Sequence, residues 1–311
     1  MRRALAILIL CVALASPAAA APLTDEIPRT AVMSAFAPEL TALLQATSDR
    51  HEITLGGTVF TTGVLEGKPV VLFLSGMSLV NAAMTTQRAL DRFHVSRIVF
   101  SGIAGGVDPG LSVGDVVAPA QWSQYLESVM AREDRPGHFA PPTGLPLVGA
   151  PFGMIYPKAV EVPHGGGSPE LRQWFPADPT MLATARRVAT QVALKRCTDA
   201  GRCLAKPPRV VVGGNGVSGQ AFVDNAALRG WAFATFQAEV LDMESAAVAQ
   251  VALANGTPFI AFRSLSDLAG GDPGANQARV FFRLASDNSA AVVRAFVAAL
   301  PQIAASQPPA R

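Results

Sequence analysis

The 311-residue chain reads as an α/β protein, a single domain built on a central twisted sheet, mixed but largely parallel, with helices on its faces. Three observations predict this. Short apolar runs of strand length alternate with helical patterns along most of the chain. Half of the residues are hydrophobic, enough for a large core. No charged or low-complexity linker divides the sequence, so one domain is the simplest organisation.

The elements follow in order. Residues 30–35 form an apolar run of strand type, and 52–65, with Gly56 and Gly57 in its middle, reads as a hairpin added to the sheet. Strands at 70–74 and 97–101 bracket a helical pattern at 79–93, and a further strand is expected at 115–118. The rhythm then breaks: 127–179 is rich in Pro and Gly and reads as a long loop excursion, of the kind used for a lid, a subunit contact or a surface ornament. Its His138 and His164 have too few companions for a metal site. A helix at 179–195, a strand at 209–212, a helix at 244–254 stopped by Gly256 and Pro258, a strand at 259–263 and a helix at 286–300 stopped by Pro301 complete the chain.

The first twenty residues have a basic start, an apolar stretch at 4–15 and a run of small residues. That is the pattern of a secretory signal peptide, too short for a membrane span. Cleavage is expected after Ala20, leaving 21–311 as the mature domain, exported to the periplasm or beyond and without stable membrane insertion. Cys11 follows Leu10, where a lipoprotein signal would want a small residue, so no lipid anchor is expected. Losing Arg2 and Arg3 takes the basic count from 25 to 23, against 23 acids. A formally neutral mature chain offers no overall field for nucleic acid or an acidic membrane. Cys197 and Cys203 are then the only thiols, and in an exported protein they are expected to form a disulfide; a metal site would need more ligands than the neighbourhood offers.

Chemistry concentrates in 240–271. Asp242 and Glu244 sit where a helix begins, and Ser266 and Asp267 sit just past the end of the following strand. In open α/β sheets that is where ligands bind. Either site alone is explained by helix-dipole or turn chemistry. Acids at both, flanking Met243 and a buried strand, point to a catalytic frame, because ionisable groups are costly to bury unless paired or used.

These residues resemble the nucleoside phosphorylase and nucleosidase superfamily, and most closely its methylthioadenosine/S-adenosylhomocysteine nucleosidase branch. There a Met-Glu pair opens a helix and grips the ribose, matched here by Met243-Glu244, and an Arg-x-x-Ser-Asp run supplies the acid that protonates the purine, matched by Arg263 to Asp267. The resemblance extends to Met33 to Leu40, where Glu39 falls on the position of the base that activates water. On physical grounds alone Glu39 is an acid in a first helical turn behind Pro38. It extends also to the glycine loop Ser101 to Gly106, whose Gly105 lines the sugar, and to Val217 to Val223, whose Phe222 stacks on the base while Val223 offers backbone hydrogen bonds. Two positions depart from the branch: Ile103 replaces a Ser, and Asp242 replaces a Glu beside the ribose, one methylene shorter. Arg263 either pairs with a carboxylate of the site or is an ordinary structural ion pair. Gly214 to Gly219 also fits a G-x-G-x-x-G fingerprint with Glu239 downstream, but late in the chain and without a clear βαβ unit.

The resemblance implies hydrolysis of the N-glycosidic bond of a purine nucleoside of the methylthioadenosine, S-adenosylhomocysteine or adenosine type. It implies Asp267 with Ser266 as the acid, Glu39 as the base, a homodimer, and no metal or organic cofactor. The phosphorylases of the superfamily place an Arg where this chain has Phe100, so water is expected as nucleophile over phosphate. A phosphate-dependent phosphorylase and a non-catalytic storage or binding relative are the alternatives. Glu39, Glu244 and Asp267 together favour the enzyme.

Overall fold

The computed structural model describes residues 23–163 and 167–302. The expected leader at 1–20, Cys11 and His164 lie outside these residues. Strand β1 (Asp25–Ser34) leads into α1 (Ala37–Gln45), the hairpin β2 (Ser48–Leu55) and β3 (Thr58–Leu65), β4 (Lys68–Leu74), α2 (Leu79–Arg92) and the long β5 (Phe93–Gly106). After β6 (Val116–Ala118) and β7 (Gln121–Gln124) come the short strands β8 (Ser128–Met130), β9 (Arg132–Arg135), β10 (His138–Ala140), β11 (Ile155–Pro157), β12 (Val160–Val162), β13 (Glu170–Arg172) and β14 (Phe175–Pro176). The chain finishes with α3 (Pro179–Ala189), β15 (Val210–Val212), β16 (Asn215–Ser218), α4 (Ala226–Phe236), β17 (Ala238–Asp242), α5 (Ser245–Ala254), β18 (Phe259–Asp267) and α6 (Ala278–Ala299).

One twelve-stranded mixed sheet organises the molecule, in the order β14, β7, β16, β17, β5, β1, β4, β3, β2, with β18 against β5 and β6, and β15 on β6. Its parallel pairings, β4 and β5 on β1 and β18 on β5, hold the middle. β18 is buried at all nine positions; its first half, Phe259 to Phe262, is an unbroken apolar run, and its second half carries the buried polar groups Arg263, Ser264, Ser266 and Asp267. Helices cover both faces. Leu40 and Leu43 of α1, Met181 and Leu182 of α3 and Val292, Val293 and Phe296 of α6 share one cluster with Val99, Ile260 and Phe262. Ala82 and Ala89 of α2 and the alanines of α5 share the other with Phe60, Phe73, Phe93 and Phe100.

The differences from the sequence expectation have tertiary causes. β5 runs five residues past 101 into the glycine loop because β18 and β17 both pair with that half. α3 stops at Ala189, six residues before 195, where the Asn288 side chain accepts from Lys195 N (2.7 Å) and donates to its carbonyl (3.0 Å). Helix α4 was not anticipated; Asn225 caps it by accepting from Leu228 N at 2.9 Å. Within 127–179, β8 pairs β11, β9 pairs β10, β12 pairs β13, and β14 joins the main sheet beside β7.

Candidate active site

The ends of β1, β5, β17 and β18 converge on a cleft with a cavity of about 200 Å³, walled by Phe36, Glu39, Met77, Ile103, Gly105, Phe222, Val223, Met243, Glu244, Ser266 and Asp267 among others. Each acid arrives by a local rule. β1 ends at Ser34, and the turn that follows carries Pro38 into the first turn of α1, so Glu39 folds back to accept from Ala35 N (2.7 Å) and Phe36 N (3.3 Å). Its other oxygen accepts from Ile103 N at 2.8 Å.

Arg263 is the hub beneath this wall. It is fully buried in β18, stacked 4.0 Å over the Phe100 ring, with Nε donating to Ser245 Oγ (2.9 Å) and lying 2.7 Å from Asp242 Oδ2. Nη1 lies 3.9 Å from Glu39 Oε1 and Nη2 3.6 Å from Glu244 Oε2. One guanidinium thus faces three buried carboxylates, and not all three can hold their charge cheaply in a dry site. Burial, against the pull of Arg263, pushes the Glu244 carboxyl up to about 7, with Asp242 and Glu39 adding to the rise. Glu39 is also raised by burial, opposed by Arg263 and by the three backbone N–H groups. Ser78 N fixes Glu244 Oε1 at 2.8 Å.

The crowding explains the glycines of the loop. A Cβ on Gly102 would come within 2.0 Å of Arg263 Nη1 and 2.8 Å of Glu39 Oε1, and one on Gly105 within 3.2 Å of Asp267 Oδ1.

Asp267 closes the opposite side. It is 3 % exposed, with Oδ2 accepting from Ser266 Oγ and Oδ1 from Ala269 N, both at 2.8 Å. Burial raises its carboxyl above the ordinary range, and among the described residues no cation pairs with it. The two walls therefore differ: Glu39 has a guanidinium to favour its charged form, and Asp267 has none. Phe222, 65 % exposed, stands at the mouth with Met77.

The profile of the family described as "Phosphorylase superfamily" matches residues 29–298. The chain belongs to the phosphorylase superfamily. Relatives include a 5'-methylthioadenosine/S-adenosylhomocysteine nucleosidase of Marinomonas sp., 31% identical over 85% of this chain and 95% of its own. One of Geobacillus thermodenitrificans is 30% identical over 78% of this chain and 85% of its own. Among solved structures, the Colwellia psychrerythraea nucleosidase with adenine has a TM-score of 0.66 at 25% identity, covering 88% of this chain and 96% of that one. The Neisseria meningitidis nucleosidase with methylthio-immucillin-A has a TM-score of 0.65 at 25% identity, covering 88% and 100%.

For a phosphorylase-superfamily chain, the site residues read from the sequence gather well. Glu39, Gly105, Phe222, Val223, Met243, Glu244, Ser266 and Asp267 all line the cleft. Asp242 reaches its wall, but both oxygens are engaged by protein groups: Oδ1 takes Glu244 N, Ser245 N and the Ser218 hydroxyl, and Oδ2 meets Arg263. These contacts hold Arg263 and the start of α5. Cys197 and Cys203 are disulfide-bonded, away from the cleft. The sequence reading did not single out Ser78 N, the Phe36 side chain or Met77. Ser78 N and the Phe36 side chain carry no sequence signal of their own. The pairing of Arg263 with a site carboxylate was one of the two sequence readings, signalled by a charge directly after the apolar run Phe259 to Phe262; that it faces three carboxylates was not.

Proposed function

We propose that this cleft hydrolyses the N-glycosidic bond of a purine nucleoside, and that Asp267 and Glu39 divide the proton chemistry. The observation that carries the assignment is the pair of buried carboxyls across one cavity, one beside Arg263 and one without a cation. Cleavage leaves an electron-rich purine and an oxocarbenium-like sugar. Asp267, oriented by Ser266, gives its proton to the purine N7 as the C1'–N9 bond breaks; a water attacks C1' and yields its proton to Glu39. Glu244 accepts the ribose hydroxyls, Met243 packs on the sugar, and Phe222 with the Val223 backbone receives the base. Relatives named for methylthioadenosine and S-adenosylhomocysteine support that substrate class here.

Water as the nucleophile is supported by the lining. Among the described residues no Lys, Arg or His faces the cavity, and Phe100 is buried beneath Arg263. A phosphate dianion would lack a clamp. The homodimer, and export with cleavage after Ala20, belong to the same proposal; the disulfide supports an oxidising compartment. Purine release from adenosine, inosine, methylthioadenosine and S-adenosylhomocysteine, each with and without phosphate, tests the reading. Release independent of phosphate is expected. Dependence on phosphate, or no release from any of the four, would overturn it.

A further inference from the structure

Helix α6 takes no part in the cleft, yet Ser289, in its middle, is fully buried and hydrogen-bonded to β5 and β18, two of the four strands that converge on the site. Its Oγ accepts from Gly102 N at 3.2 Å, is 3.0 Å from Ser101 Oγ, and donates to the Phe262 carbonyl at 3.1 Å. With its own proton on Phe262, the Ser101 hydroxyl is the donor in their shared bond, so the Ser289 hydroxyl uses its one donor and both acceptor sites. Gly102 and Phe262 each immediately precede a working group. Ile103 N donates to Glu39 Oε1, and Arg263 faces Glu39, Asp242 and Glu244.

We infer that Ser289 is a positioning residue of the hydrolytic reaction, a bracket that sets the Gly102–Ile103 backbone and Arg263 around Glu39. The clearance makes the setting exacting. Gly102 sits so close to the guanidinium and the Glu39 carboxylate that no side chain fits, so a small movement of its backbone displaces both. The Ile103 N–H favours the ionised form of Glu39, and a bracket that loosens it weakens that preference. The inference rests on the proposed role of Glu39 as base.

Ser289→Ala leaves Gly102 N and the Ser101 hydroxyl buried without their acceptor, and Ser289→Thr restores the hydroxyl. The matched control is Ser286→Ala, one turn earlier on α6, whose hydroxyl bonds only the Phe282 carbonyl of its own helix at 2.8 Å. In Ser289→Ala, kcat/KM falls on the order of tenfold and the acidic limb of its pH profile moves to higher pH; Ser289→Thr recovers both in part, and Ser286→Ala shows neither. A Ser289→Ala enzyme that loses only thermal stability, with the wild-type pH profile, overturns the inference. Amide hydrogen exchange provides a readout independent of turnover. Peptides spanning 100–104 exchange faster in Ser289→Ala than in Ser286→Ala, and equal protection in the two overturns the bracket even if no substrate is found. Wild-type protein without purine release, but with that local loss of protection, would instead place the failure in the proposed reaction.

Discussion

At the scale of the residue, Asp267 and Glu39, the carboxyls proposed to divide the proton chemistry, are distinguished by what surrounds them. Asp267→Asn keeps the shape of the cleft and removes the proton, so turnover falls by at least about 100-fold while binding of adenine, followed by thermal shift, persists. A base that must be ionised and an acid that must be protonated give a bell-shaped pH profile of kcat/KM. Activity rises as Glu39 loses its proton and falls as Asp267 loses its own, and both limbs lie above the ordinary carboxylate range because burial raises both groups. Glu39→Gln is expected to abolish the acidic limb along with most of the rate. Glu244 adds a stability signature. Unfolded, it ionises at about 4.3; folded, burial, opposed by Arg263, pushes it up to about 7. The folded state holds this proton more tightly across that window. The group's contribution to stability is therefore complete below the unfolded value and lost as pH rises to about 7. Urea titrations of Glu244→Gln should show a shallower decline over that window than wild type, and parallel curves would contradict the shift.

At the scale of the element, caps and register place the site. Asp178 Oδ1 accepts from Thr180 N and Met181 N, both at 2.9 Å, and so starts α3, whose Met181 and Leu182 pack in the core shared with α6. Asp178→Ala is expected to cost about 1 kcal/mol in urea denaturation without changing the pH profile, since α3 does not reach the cleft. Helix α5 and strand β18 were legible because an Ala-rich helix, its Gly256 and Pro258 stop, an apolar run and the flanking acids sit next to one another in the sequence. The reach of β5 to Gly106 was not: a glycine loop has no strand propensity, and only pairing with β17 and β18 extends it. Helix α4 was missed because its hydrophobic residues run nearly all round it, leaving little periodic contrast to find.

At the scale of the whole molecule, the disulfide supports the proposed export. Mature protein recovered from the periplasmic fraction is expected to begin at Ala21 and to show no free thiol when alkylated under denaturing, non-reducing conditions. A retained N-terminus or two alkylated cysteines would refute export with the disulfide intact. Closing the small loop from Cys197 to Cys203 is worth about 2 kcal/mol, so reduction should lower stability modestly instead of unfolding the chain.

By itself the sequence determined the α/β architecture, the hairpin, most helices, the strands β1, β4, β5, β6, β15 and β18, and the acids at the strand ends, because each depends on local periodicity, turn residues and neighbouring positions in the chain. Through its resemblance it also named the reaction. Only the tertiary structure decided how those groups act on one another: that Arg263 serves three carboxylates, that Asp242 at the cleft wall also bonds Arg263 and the start of α5, that Ser78 N fixes Glu244, and that Ser289 binds β5 and β18 from a distant helix. These contacts join residues as far apart in the chain as Glu39 and Arg263. Charge pairing and hydrogen bonding depend on distance in space, which the order of residues along one chain does not contain.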